Sequence, residues 1–121
     1  MNFYCKKCNH HLIENLIQAK KEEILYDDEQ DLIPIGKFVL NEGIWNFDDL
    51  EITYLVNADS IVLKNHYNSV KMQGCCGPSG MDGLNKLCPN CSQEIGVLVS
   101  DCYTPRFIGI DKNKVSESPI W

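Results

Sequence analysis

Cys5-Lys6-Lys7-Cys8 and Cys88-Pro89-Asn90-Cys91 are the stretches that decide the fold. Each Cys-x-x-Cys pair puts two thiolates on one tight turn. Two such turns face to face make the tetrahedral four-sulfur cage that zinc prefers. Pro89 presets its φ for a turn, and Asn9, just behind the first pair, tolerates the left-handed backbone such turns often need. The spacing predicts one Zn2+ held by Cys5, Cys8, Cys88 and Cys91. His10 and His11 follow the first pair directly, but four cysteines already complete a site, so both histidines are expected to be bystanders.

Working outward, the 121 residues fit one domain, 1–121, with a modest core. The net charge is −6, from seventeen acidic and eleven basic residues, and no basic stripe emerges. Nucleic acid and anionic membrane are therefore poor default partners, and a basic protein partner is electrostatically easier. Only Met1-Asn2-Phe3-Tyr4 precedes Cys5, and no apolar run approaches the ~20 residues of a membrane helix. Seven cysteines is an odd count that suits reduced thiols holding a metal better than a secreted disulfide framework. These features place the protein in the cytoplasm.

Between the two pairs the chain reads mostly as β. Leu32–Leu40 is apolar apart from Gly36 and Lys37, with Pro34 suggesting an edge or a strand start. Glu51–Val56 and Glu94–Val99 are rich in β-formers, and Phe107–Ile110 follows Pro105 as a last strand. Ser60–Leu63 fits a short strand or one helical turn. Leu12, Ile13, Leu16, Ile17, Ile24 and Leu25 fit a helical stripe or extended chain, which keeps an α+β alternative open. Asp27–Asp31 is an acidic run expected to be a solvated loop. From Asp111 to Trp121 the chain is polar and expected to be a loosely attached tail, although Ile120 and Trp121 can dock back.

A compact zinc ribbon keeps its pairs some 15–20 residues apart, whereas here Cys8 and Cys88 enclose nearly the whole chain. Tyr4-Cys5-x-x-Cys8, with Cys88-x-x-Cys91 leading into a strand, resembles the β-tent zinc proteins of the yippee and methionine sulfoxide reductase B groups. That resemblance implies a mostly β fold of antiparallel strands clamped by a structural zinc, β-tent or zinc-ribbon-like. It implies no activity. A closer resemblance covers most of the chain. Asn65-His66, Gly74-Cys75-Cys76-Gly77 with Gly80, Asp82 and Gly83, and Ser100-Asp101-Cys102 are similar to a set of uncharacterised bacterial proteins. Those proteins carry a CxxC start, a Gly-Cys-Cys-Gly loop and a Ser-Asp-Cys end. The resemblance implies that Cys75, Cys76 and Cys102 belong to one pattern.

Gln73–Gly83 holds four glycines and a proline, so it cannot be regular structure. Its cysteines admit three uses. With His66, Cys75, Cys76 and Cys102 supply soft ligands for a second metal. Alternatively they do thiol chemistry, with His66 and Asp101 as candidate partners. A disulfide between neighbours would be strained, because consecutive Cα atoms sit ~3.8 Å apart while disulfides want ~4.4–6.8 Å. Otherwise they pack as small apolar side chains beside the metal turns. The expectation is a zinc-stabilised cytoplasmic binding or adaptor module. The alternative is a small thiol-dependent enzyme or redox sensor built on Cys75, Cys76, Cys102, His66 and Asp101.

Overall fold

The β-rich runs become the middle of one large sheet. The computed structural model describes residues 1–47 and 50–119. Ten strands follow in order: β1 (Phe3–Cys5), β2 (His11–Ile13), β3 (Ile17–Gln18), β4 (Lys37–Leu40), β5 (Ile52–Val56), β6 (Lys64–Asn65), β7 (Lys86–Leu87), β8 (Glu94–Val99), β9 (Phe107–Asp111) and β10 (Val115–Ser116). The seven-stranded sheet has the order β3-β4-β5-β9-β8-β7-β6, and the smaller sheet the order β10-β1-β2. Every pairing is antiparallel except β3 with β4. The protein is mostly β, with no α-helix among the described residues. No helix among them is long and apolar enough to cross a membrane.

The centre of the large sheet is covered on both faces, which is why its strands read as continuous apolar runs. All five residues of β9 are buried, and Ile95, Val97 and Val99 of β8 are fully enclosed. On one face Ile95, Ile108, Ile110, Val56 and Phe38 pack against Phe3, Leu12 and Val115 of the small sheet. On the other, Val97, Val99, Phe107, Leu55 and Val39 pack under Leu32, Ile33, Trp45 and Phe47. The alternation Val97/Leu98/Val99 and Phe107/Ile108 sorts side chains between the two cores, as the pleat requires, while Ile95 joins the first core across the register shift between β7 and β8.

Several expectations change here. Residues 12–25 are extended, as β2, β3 and a 3-10 turn at Lys21–Glu23, and not helical. Leu12 and Leu16 are buried, but Ile17 and Leu25 of the supposed stripe face solvent. Only Lys37–Leu40 of 32–40 is a strand. Gly36 (φ 79°) and the bond from the Lys37 N–H to the Pro34 carbonyl turn the chain first. Ser60–Leu63 is a bend that buries Ile61 and Leu63. The acidic run is the exposed loop expected, with its last residue, Asp31, tied by Arg106. Arg106 Nη2 and Nη1 reach Asp59 at 2.9 and 3.0 Å, and Nη1 reaches Asp31 at 3.3 Å. The chain after Asp111 does not simply fray, because Cys5 pairs with Val115 and Tyr4 with Ser116. The expected docking of Ile120 and Trp121 lies outside the described residues, as do Asp48 and Asp49.

Asn85 sets the register of the outer strands. It is fully buried. Its Oδ1 accepts the Leu98 N–H at 2.6 Å, and its Nδ2 donates to the Leu98 carbonyl at 3.0 Å. The side chain thus replaces two ladder bonds beside the β7–β8 irregularity. Asn85→Ala strands both backbone groups, and each unsatisfied buried group costs ~1–3 kcal/mol. Urea unfolding should show a loss of about 2–4 kcal/mol; a loss under about 0.5 kcal/mol would contradict this role.

Candidate metal centre

The two Cys-x-x-Cys turns are built alike. The Cys5 N–H donates to the His10 carbonyl and the Cys88 N–H to the Gln93 carbonyl, both at 2.8 Å. The Asn9 N–H returns to the Cys5 carbonyl at 2.7 Å, and the Ser92 N–H to the Cys88 carbonyl at 2.9 Å. Asn9 (φ 62°) and Ser92 (φ 67°), equivalent positions, are both left-handed. Asn9 meets the expectation from its type, whereas Ser92 carried no such signal.

The turns sit on different sheets. The first joins β1 to β2, and the second joins β7 to β8. Their sulfurs nevertheless converge: Cys5 Sγ lies 3.5 Å from Cys91 Sγ, and Cys8 Sγ lies 3.7 Å from Cys88 Sγ. All four lie within 4.8 Å of one another, so the group can hold a metal ion. A tetrahedral ion bonded at ~2.3 Å places its sulfurs about 3.8 Å apart, close to these distances. Cys5 and Cys88 are buried, and Cys8 and Cys91 partly so. Lys114 locks the arrangement, since its carbonyl accepts the Lys6 N–H at 3.0 Å and Gln93 Nε2 at 3.1 Å. The segment expected to be a loose tail therefore bridges both turns.

The four sulfurs do not share one electrostatic environment. Burial pushes the Cys5 thiol up to about 12 and raises Cys88 as well. Burial also acts to raise Cys8, but bonds from the Asn90 side chain and the His10 backbone outweigh it and hold that thiol down at about 6. Four thiolates this close are mutually repulsive until a positive ion lies between them. His10 and His11 take no part in the cluster; His11 stacks on Tyr4 with ring centres 4.7 Å apart.

A second constellation forms at the other end of β8. Six residues at ~3.3 Å each place it about 20 Å from the metal turns. Here Asp101 gathers the glycine-rich loop. Its Oδ1 accepts the N–H groups of Cys76 and Cys102, both at 2.8 Å, and its Oδ2 accepts that of Cys75 at 3.3 Å. These bonds, with those from Cys76 and Cys102 foremost, hold the Asp101 carboxyl below its usual range. Thr104 fixes Asp101 in turn, its Oγ1 accepting the Asp101 N–H at 3.0 Å. The wrap is tight. A Cβ on Gly74 would overlap the Gly77 carbonyl, and one on Gly77 would overlap the Ser100 carbonyl.

Cys75, Cys76 and Cys102 have their sulfurs within 4.8 Å of one another, and Cys76 is bonded to Cys102. The neighbouring pair weighed from sequence is not the one joined. His66 is elsewhere, with Nε2 at 3.0 Å from Glu94 Oε2 and Nδ1 accepting the Asn68 N–H. Asp101 serves the loop backbone and is not poised against His66.

Beside this constellation runs a cleft of about 810 Å3. Ile44, Trp45, Phe47 and Leu50 form its apolar wall, and Ser79, Met81, Asp82 and Asp101 face them. The sequence reading passed over Trp45 and Phe47; two aromatics one residue apart in a polar loop were the available signal. No family model, curated protein or solved structure matches the chain.

Proposed function

We propose that the chain is a zinc-stabilised cytoplasmic module that works by binding a basic protein segment in the cleft between Trp45 and the Ser79–Gly83 loop. The observation that carries this reading is the composition of the cleft. It joins an apolar aromatic wall to the carboxylates of Asp82 and Asp101 on a chain of net charge −6. Such a surface suits an extended peptide with one large apolar anchor flanked by Lys or Arg. Zinc is the assigned metal because a closed four-thiolate tetrahedral site suits a structural zinc ion. The clamp supports the scaffold at one end of β8 while the cleft opens at the other. Nucleic acid and membrane are not partners in this reading.

Fluorescence anisotropy with labelled peptides tests it. Peptides combining Phe or Leu with Lys and Arg should bind in the micromolar range, and charge-reversed ones should not. Trp45→Ala should weaken binding about tenfold or more, as loss of an aromatic anchor does. Duplex DNA should not bind at physiological salt. Equal weakness for both peptide sets, or salt-sensitive micromolar DNA binding, would contradict the proposal.

A further inference from the structure

We propose that Cys76 and Cys102 form a reversible, thiol-exchangeable disulfide, a redox site separate from the metal clamp and independent of what the cleft binds. The two clusters of cysteine differ in every respect that decides between metal and disulfide. The clamp sulfurs include the fully buried Cys5 and Cys88, whereas Cys75 and Cys76 are exposed and Cys102 is partly exposed. In the second cluster the backbone N–H groups of all three cysteines already donate to Asp101. None of these donors is left to stabilise a thiolate, and the carboxylate adds a negative charge beside the sulfurs. That environment disfavours three thiolates and favours the neutral disulfide.

Asp101 also makes the bond reversible without disorder. The carboxylate and the close approaches at Gly74 and Gly77 hold the loop independently of the sulfur–sulfur bond, so the two thiols stay neighbours when it opens. Cys76 borders a small pocket of about 180 Å3 lined by Glu29, Ser100, Thr104 and Arg106, through which a small thiol can approach. In the reducing compartment proposed above, a disulfide that forms at all is characteristically redox-active and not a staple.

The chemistry balances with a small-molecule thiol as reductant. A first thiolate attacks Sγ of Cys76; the S–S bond breaks, and Cys102 leaves as a thiolate that takes up the proton the reductant lost. A second thiol attacks the mixed disulfide, forming the external disulfide and releasing Cys76, protonated in turn. Two electrons pass from the two external thiols to the protein, and the reverse sequence closes the bond.

The experiment uses the full, metal-loaded chain equilibrated in glutathione buffers of graded ratio, with thiol counting and peptide mapping under non-reducing conditions. Of the five free cysteines four belong to the clamp, so accessible thiols should rise from one to three per chain on reduction. The transition should be a single two-electron step, with metal content unchanged. Cys75→Ser should keep the Cys76–Cys102 couple, and Cys102→Ser should remove it. A mapped Cys76–Cys102 peptide that opens and closes with the buffer supports the proposal. Failure of that peptide to form in oxidised buffer overturns it. So does a second metal equivalent that needs Cys75 as well as Cys76 and Cys102.

Discussion

Replacing Cys88 by Ser, or removing the metal with a strong chelator, is expected to abolish β structure throughout the protein and not merely to release its first residues. Structural zinc sites carry apparent free energies of ~10–16 kcal/mol in small peptides. A protein of this size is stable by only ~5–15 kcal/mol. The topology points the same way. The clamp would tie the β1–β2 turn of the small sheet to the β7–β8 turn of the large one, and the small sheet supplies Phe3, Leu12 and Val115 to the first core. Acidification should act like the chelator, because metal binding displaces the thiol protons and weakens as pH falls. Cys75→Ser, at an exposed position, should stay within about 0.5 kcal/mol of the parent. Circular dichroism melts of both variants check the contrast. If Cys75→Ser unfolds the protein as thoroughly as Cys88→Ser, the four-sulfur assignment is wrong.

Phe107→Ala is expected to give the next largest loss, about 3–5 kcal/mol in urea unfolding, as for other buried Phe truncations. Phe107 is fully buried in the second core. Its ring meets Trp45 edge-on at 5.4 Å and Phe47 at 6.3 Å between centres. The substitution opens a cavity under the aromatic wall of the cleft, so peptide binding should fall with stability. A loss under about 1 kcal/mol would mean that this side of the sheet does not hold a packed core.

What could be read in advance follows from how local the cause is. The metal turns were legible because the thiols, Pro89 and Asn9 each act within a few residues. β5, β8 and β9 were legible because their β-branched runs are long and enclosed on both faces. The outer strands were not. Lys64–Asn65 and Lys86–Leu87 carry no strand composition, and their register depends on the Asn85 side chain reaching Leu98. β10 is equally silent in sequence, since it exists because Val115 finds Cys5 and Lys114 finds both metal turns. Cys76–Cys102 was missed for the same reason. The pair is 26 residues apart, and only the exit from β8 and the Asp101 carboxylate bring the two together.

The central claim is that one metal ion, bound by four sulfurs, joins the two sheets. X-ray absorption at the zinc edge, combined with elemental analysis of the purified chain, tests it most directly. The expected result is one zinc per chain with four sulfur neighbours at ~2.3 Å and no nitrogen or oxygen in the first shell. A first shell containing nitrogen or oxygen, a metal-free folded protein, or disulfides among Cys5, Cys8, Cys88 and Cys91 would contradict it.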